Sequence, residues 1–258
     1  MTEEKGNVLS MLIHGASKAG KSTLTSTAPL PLLVIDAEGS WKFIRQRGFR
    51  SGTPLRKRNW DPAQGPPPRH DGTWDFCYVA VASWATMRQV YQWLTQAQHD
   101  FQSIVLDSIT ELQRRCKQNI SSDGLVKGYD GWGALLVQMD GVIRGFRDLT
   151  IMPGPVRCVL FVAETREESG KWRPYMQGQI SVSLPYWVDI CAYAFQTRVA
   201  DADGNNTVAQ VNLFVGSHPS FESGERVQGA LPDTIVNPDV EDMLSTIYQE
   251  EKEAVTSD

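Results

Sequence analysis

The 258-residue sequence predicts an α/β fold with a mainly parallel central sheet flanked by helices. Three observations lead to this prediction. Continuous apolar runs without alternation recur along the chain, and such runs are typical of strands in a parallel sheet covered on both faces. Amphipathic helical patterns separate these runs. From residue 189 onwards the pattern changes to two β runs around DADGNN, which predict a C-terminal antiparallel β-hairpin.

The elements follow in order. Residues 7–14 (NVLSMLIH) predict the first strand, and a helix is expected from Lys21 to about Ala28. The later strands are expected at 31–39, 76–83, 101–110 and 156–164, and the later helices at 84–99, 111–120 and 134–149. Residues 48–74 and 121–133 are expected to be loops, the first of them mobile. We predict a single domain over 1–258, with a basic Gly/Pro-rich insertion at about 45–74 and a hairpin-plus-short-helix extension at about 189–250.

Composition narrows the class of protein. A hydrophobic content of 41% and a charged content of 21% are those of an ordinary globular protein. No stretch approaches the roughly 18 apolar residues that a membrane span needs, and the polar start MTEEKGN is not typical of a signal peptide. The four cysteines are far apart, so we expect reduced thiols, neither zinc nor disulfides, and a cytoplasmic location.

The segment from Gly15 to Ser22 fits the phosphate-binding pattern GxxxxGK[ST]. Its glycines allow positive φ and bring backbone N–H groups close to phosphate oxygens. Lys21 is expected to reach the β- and γ-phosphates and Ser22 to ligate Mg²⁺, so ATP and Mg²⁺ are the expected cofactors. The predicted nucleotide-binding residues are Gly15, Ala16, Ser17, Lys18, Ala19, Gly20, Lys21, Ser22 and Thr23.

Two acids at strand ends extend this site. Asp107, after the apolar run SIVL, is expected to be the second magnesium-side carboxylate, although a surface acid capping the next helix would also fit. Glu38 ends the run in VIDAEG, and ligands bind at the carboxyl ends of strands in open α/β sheets. Glu38 is therefore the candidate base for water, with Asp36 nearby; two solvated loop acids are the alternative.

The segments GASKAGKST, LLVIDAEG, SIVLDSIT and VLFVAETRE occur in an order that resembles the RecA-like recombinase ATPases. The resemblance points to the small phage-encoded, AAA-like P-loop recombination proteins of the Sak type, and covers about residues 8–200. It implies that Glu38 is the catalytic glutamate, and that Glu164 stands where the family senses the γ-phosphate, often with glutamine. A carboxylate there would repel phosphate unless water, magnesium or a cation bridged it. The N-terminal oligomerisation segment of the cellular recombinases has no visible counterpart.

The resemblance also implies a DNA-binding loop after Glu164, in the segment 165–179. Cationic side chains there suit phosphates and aromatic ones suit stacking on unpaired bases, while Glu167 and Glu168 oppose binding. An ordinary surface hairpin is the alternative. The predicted DNA-binding residues are Arg166, Lys171, Trp172, Arg173 and Tyr175. Lys127, Tyr129 and Trp132 in 121–133 form a second candidate surface, and the basic segment Arg45–Arg69 a third.

The leading interpretation is an ATP-dependent single-stranded-DNA-binding recombinase or annealing protein acting in recombination or repair. The resemblance implies hydrolysis between subunits of a ring or filament, with a cation donated in trans by Arg226 or Lys171. A single-strand-binding protein is a further expected partner. Two alternatives stay open: a P-loop kinase of a nucleotide or small molecule, with Arg45–Arg69 as a lid, and an ATP-gated adaptor or loader with little turnover.

Overall fold

The computed structural model describes residues 6–49, 52–200 and 207–255. Within these ranges the strands, in chain order, are β1 (Leu9–Gly15), β2 (Leu32–Asp36), β3 (Lys57–Asn59), β4 (Phe76–Ala80), β5 (Ser103–Asp107), β6 (Cys158–Ala163), β7 (Thr165–Glu168), β8 (Lys171–Pro174), β9 (Ile190–Ala200), β10 (Thr207–Phe214), β11 (Gly224–Glu225) and β12 (Thr234–Val236). The helices are α1 (Lys21–Thr25), α2 (Trp84–Gln96), α3 (Ile109–Ile120), α4 (Gly128–Asp148), α5 (Ile180–Ser183) and α6 (Val240–Val255).

The central sheet confirms the predicted fold class. Its strand order is β12-β10-β9-β1-β6-β5-β2-β4-β3, with β11 paired to β9. The neighbours from β9 to β3 are all parallel, whereas β10, β11 and β12 add antiparallel pairs at one end. The predicted hairpin is β9–β10, with Thr207 opposite Ala200. Its DADGNN turn lies outside the described residues.

Helices cover both faces of the sheet because its strands are apolar on both faces. On one face, Leu12 of β1 and Phe161 of β6 belong to a core formed with α2, α3 and α4, whose buried side chains are Met87, Leu112 and Phe146 among others. On the other face, the neighbouring strand residues Met11 and Leu160 belong to a second core. That core includes Leu24 of α1 and Leu244 of α6, so the central strands carry apolar side chains into both layers.

Helix α4 corrects the predicted loop at 121–133. The helix begins at Gly128, six residues before the predicted start at Ala134, so Tyr129 and Trp132 lie on its first turns. Glycines at 128, 131 and 133 suggested a loop, since glycine disfavours helix interiors. The buried apolar stripe that continues through Leu135 and Met139 anchors the helix against the core, and this packing outweighs the local propensity.

The predicted insertion forms part of the sheet in the residues that the structure describes there. Lys57–Asn59 is the edge strand β3, paired in parallel with β4. Arg56 pairs with Asp75 at 2.7 Å and Arg69 with Asp100 at 2.6 Å, while Arg47 pairs with Glu241 of α6. Of the basic residues predicted in Arg45–Arg69, Arg50 lies outside the described residues.

Among the described helices, none combines the length and the apolar character needed to cross a membrane.

Candidate nucleotide-binding site

The phosphate-binding segment follows β1 at the carboxyl end of the sheet. Gly15 is buried between strands, and a Cβ atom there would lie 2.2 Å from the carbonyl oxygen of Ala194 on β9. Gly20 has φ of +94°, a left-handed conformation that L side chains rarely adopt. Both glycines are therefore required by the backbone, as the motif predicts.

Lys21 begins α1 and turns back over this segment. Its Nζ donates hydrogen bonds to the carbonyl oxygens of Gly15 at 2.8 Å and Ala16 at 2.9 Å. Burial lowers the pKa of the lysine, and the negative charges of Asp107, Glu38 and Glu164 oppose that shift. The ammonium group therefore lies within the field of all three predicted catalytic acids.

Asp107 is buried at the end of β5 and accepts three hydrogen bonds through Oδ2. Ser22 Oγ donates at 2.6 Å, Ser40 Oγ at 3.0 Å and Trp41 Nε1 at 3.0 Å. The pKa of Asp107 is raised to about 6, mainly by burial and also by the charges of Glu38 and Asp36, against the opposing hydrogen bond from Ser22. The carboxylate is thus directed at the P-loop rather than at solvent.

The Ser22–Asp107 pair provides the oxygen ligands that Mg²⁺ prefers, one hydroxyl and one carboxylate in direct contact. Magnesium sites in phosphate-transfer proteins take few protein ligands and complete their coordination with phosphates and water. These two residues would hold the ion, and its charge would neutralise phosphate oxygens.

Asp36 and Glu38 have separate roles. Asp36 is buried and accepts hydrogen bonds from the backbone N–H groups of Glu38 at 3.0 Å, Gly39 at 2.7 Å and Trp41 at 3.2 Å, so it shapes the loop after β2. Glu38 is exposed, lines the cavity and accepts a hydrogen bond from Ser108 Oγ. The loop that Asp36 holds therefore presents Glu38 to the nucleotide edge.

Glu164 lies just after β6 and also lines the cavity. The Nη1 and Nη2 atoms of Arg114 on α3 lie 3.1 Å from its two carboxylate oxygens. Arg114 Nη1 also donates to Glu111 at 2.8 Å. Arg114 is therefore a cation that pairs with the carboxylate of Glu164. Sequence reasoning did not identify this arginine, because nothing in the sequence marks a contact across 50 positions.

The cavity around these residues has a volume of about 850 Å³. Beyond the P-loop it is lined by Ile44, by Phe49 of the predicted insertion and by Val211 of the hairpin. The side chains of Phe49 and Val211 lie 2.9 Å from the place where a Cβ of Gly20 would stand. This apolar end suits a planar base, and the acidic end suits the phosphates and magnesium. No motif in the sequence indicated Phe49 or Val211.

The predicted DNA-binding residues lie on or beside the antiparallel hairpin β7–β8, which leaves β6 immediately after Glu164. Lys171 and Arg173 pair with Glu222 at 3.1 and 3.4 Å. The guanidinium of Arg166 lies 5.6 Å from the ring centroid of Tyr175, and Trp172 is exposed. The segment is thus a surface hairpin, as the alternative interpretation expected, and it brings the predicted DNA-binding residues together.

Arg226, the predicted trans cation, lies at the opposite edge of the sheet from the P-loop. Its backbone N–H donates to Asp189 at 2.9 Å, just before β9 begins, and its side chain donates to the carbonyl oxygen of Tyr186. It lines a separate cavity of about 590 Å³ next to Leu9, the first residue of β1. Within one chain, Arg226 therefore does not face the nucleotide cavity.

The glycine segment, Lys21, the Ser22–Asp107 pair and their place at the carboxyl edge of a parallel sheet define a P-loop NTPase. A family model described as an AAA domain matches residues 7–227. The chain belongs to this family of P-loop AAA-type ATPases, whose members bind ATP, typically with Mg²⁺. The comparison with curated proteins gave no match.

Proposed function

We propose that this ATPase is a RecA-like protein that couples the binding and hydrolysis of Mg-ATP to the binding of single-stranded DNA, as a recombinase or an annealing protein. One observation carries the proposal: the hairpin β7–β8 begins directly after Glu164, which lines the nucleotide cavity. Thr165, the first residue of the hairpin, also lines that cavity, which supports coupling between nucleotide and hairpin.

A continuous surface beside the hairpin fits one unpaired strand. Arg166, Arg173 and Tyr175 line a groove of about 190 Å³. That groove shares Gln177 and Gly178 with an apolar cleft of about 340 Å³ that Tyr129 and Trp132 line. The cationic part suits phosphates and the aromatic part suits stacked bases, which contribute about 1–3 kcal/mol each.

Helix α3 connects this surface to the nucleotide cavity through hydrogen bonds. The Thr110 hydroxyl accepts from the backbone N–H of Glu164 and donates to the carbonyl oxygen of Tyr175, both at 3.0 Å. Gln113 exchanges two hydrogen bonds with the backbone of Gln177, at 2.7 and 3.1 Å. Glu164 and the groove are therefore attached to the same helix, which supports coupling between them.

Charge on the hairpin limits its affinity for a polyanion. Lys171 and Arg173 share Glu222, so DNA phosphates have to compete with this carboxylate. Such competition between charges weakens as salt is added, and so does phosphate binding itself. Binding that is moderate and strongly salt-dependent is the expected behaviour.

For hydrolysis, Glu38 is the candidate that accepts a proton from the attacking water, while Lys21 stabilises charge on the phosphates. A bound Mg²⁺ would neutralise phosphate charge at Ser22 and Asp107. The remaining cation is proposed to come from a second copy of the chain, in a ring or filament. Arg226 suits that role because it faces away from its own nucleotide cavity.

The kinase alternative needs arginines over the phosphates. In the described part of the predicted insertion, Arg47, Arg56 and Arg69 are instead paired with carboxylates. The residue of this segment that reaches the nucleotide cavity next to the P-loop is the apolar Phe49. This arrangement suits contact with a base better than phosphate transfer, so hydrolysis coupled to DNA is the function we propose.

The proposal is tested by measuring the ATPase rate against single-stranded DNA at two salt concentrations. We expect DNA to raise the rate, with a weaker effect at the higher salt. Replacing Arg166 and Tyr175 by alanine should remove the stimulation, while Arg88→Ala, at an exposed arginine on α2 outside the candidate surfaces, should keep it. Turnover and oligomeric state that do not respond to DNA would refute the DNA-binding role.

Glu38→Gln tests the hydrolysis step separately. The variant should bind ATP as the wild type does and lose turnover, because the amide cannot accept the proton from water. Nucleotide binding is measured by calorimetry and turnover by phosphate release. Wild-type turnover in Glu38→Gln would show that another group activates the water.

A further inference from the structure

The ion pair between Arg114 and Glu164 lies outside the P-loop motif, yet it bears on the same cavity. Both carboxylate oxygens of Glu164 are within 3.1 Å of the Arg114 guanidinium, one on each terminal nitrogen. Two parallel hydrogen bonds of this kind fix the orientation of both partners. Glu111, one turn earlier on α3, accepts a further hydrogen bond from Nη1 at 2.8 Å.

The charges around the cavity explain why this pair matters. Three carboxylates line it, those of Glu38, Asp107 and Glu164, against the two cationic side chains Lys18 and Lys21 among the described lining residues. Asp107 is paired with Ser22 at the proposed magnesium position, and Glu38 is the proposed base. Glu164 has neither role, and its charge is offset by Arg114. Without that arginine, a bound triphosphate would meet an uncompensated negative group.

We propose that Arg114 is a positioning residue for triphosphate recognition. It cancels the charge of Glu164 and holds that carboxylate in one orientation, so that the terminal phosphate of ATP is accepted beside it. Glu164 lines the same cavity as Lys21, the residue expected to reach the β- and γ-phosphates, and its charge acts on that lysine. The inference rests on the ATP-binding part of the proposed function and is independent of DNA.

The test is calorimetric binding of ADP and of a non-hydrolysable ATP analogue, with Mg²⁺ and without DNA. Arg114→Gln should weaken binding of the analogue by about fivefold or more, as expected for residues in one ion-pair network, while ADP binding changes by less than about twofold. Adding Glu164→Gln to Arg114→Gln should restore binding of the analogue, because the uncompensated charge is then gone.

Arg115→Gln is the matched control. It removes the same charge from the neighbouring position of α3, where Arg115 pairs with Glu111 at 3.1 Å, and it should leave the ratio of the two affinities unchanged. Equal weakening of ADP and analogue in Arg114→Gln would indicate a merely structural role and overturn the proposal. So would a failure of Glu164→Gln to restore binding, since Arg114 would then act on the phosphate itself.

These binding measurements, compared with the DNA titration of the ATPase rate, separate the role of Arg114 from the proposed DNA coupling. A wild-type protein that binds neither nucleotide would remove the ATP-binding premise, and the inference about Arg114 with it. A protein that discriminates ATP from ADP through Arg114 but ignores DNA would keep the inference and refute only the proposed DNA coupling.

Discussion

Replacing His14 by glutamine should make the stability of the protein less sensitive to acid. His14 is the last residue before Gly15 and is fully buried. Its Nε2 donates to the carbonyl oxygen of Glu222 at 2.6 Å, and its Nδ1 lies 3.1 Å from the Thr165 hydroxyl. The ring therefore joins β1, the strand before the P-loop, to the hairpin β7–β8 and to Glu222, the residue that pairs with Lys171 and Arg173.

Burial is the main cause that lowers the pKa of His14 from 6.5 to about 4. Because the pKa is lower in the folded state, the unfolded state takes up the proton first as the pH falls. The stability that neutral His14 provides is present above pH 6.5 and is lost between 6.5 and about 4. The shift corresponds to about 3 kcal/mol in total, and to about 2 kcal/mol between pH 7.5 and pH 5.

The assay is urea unfolding of the wild type and of His14→Gln at pH 7.5 and pH 5. From pH 7.5 to pH 5 the free energy of unfolding should fall by about 2 kcal/mol more for the wild type than for the variant. This comparison does not depend on how much the two proteins differ in stability at pH 7.5. Asp107 acts in the opposite direction, since its pKa is raised to about 6. Its contribution is common to both proteins and cancels in the comparison.

His70→Gln is the control, because this histidine is exposed on the surface and its loss should keep the wild-type response to pH. If His14→Gln loses as much stability between pH 7.5 and pH 5 as the wild type, His14 is not the group that titrates. The link between burial of the ring and acid sensitivity would then be wrong.

Two further predictions concern the cavity and its buried acid. Phe49→Ala should weaken nucleotide binding by about tenfold, because roughly 1.4 kcal/mol of apolar contact with the base is lost. Phe43→Ala, at an exposed ring outside the cavity, should leave the affinity unchanged. Equal nucleotide affinities of the two variants in calorimetry would contradict the proposed base site. Trp41→Phe removes a hydrogen bond to the carboxylate of Asp107 and should cost about 1.5–3 kcal/mol more in urea unfolding than Trp84→Phe. The control tryptophan is also buried and its indole N–H has no acceptor among the described residues, so equal losses would remove the claimed contribution.

Much of the fold and the centre of the site could be predicted because their signals are local. Continuous apolar runs indicate buried parallel strands, and the glycine spacing from Gly15 to Ser22 specifies a backbone shape that binds phosphate. Asp107 and Glu38 follow strands whose carboxyl ends meet at one edge, so their proximity follows from the sheet. The structure brings both to the cavity.

The unpredicted parts depend on contacts between distant positions. Phe49 meets Val211 over Gly20 only after the hairpin has folded back across the sheet. Arg114 meets Glu164 because α3 packs beside β6, which no local pattern indicates. The arginines between 45 and 69 form one basic cluster in the sequence. In the structure Arg56 and Arg69 pair with Asp75 and Asp100, so their positive charges are largely compensated.

The position of β1 in the middle of the sheet has a consequence for synthesis of the chain. This strand is made before the other described strands, but its partners are β6, which starts at Cys158, and β9, which starts at Ile190. Pairing across such sequence separations is slow, and the exposed strand edges meanwhile favour aggregation. The cavity also needs Val211, so ATP cannot assist folding until most of the chain has left the ribosome. The P-loop sequence is therefore synthesised long before the residues that complete the nucleotide-binding cavity.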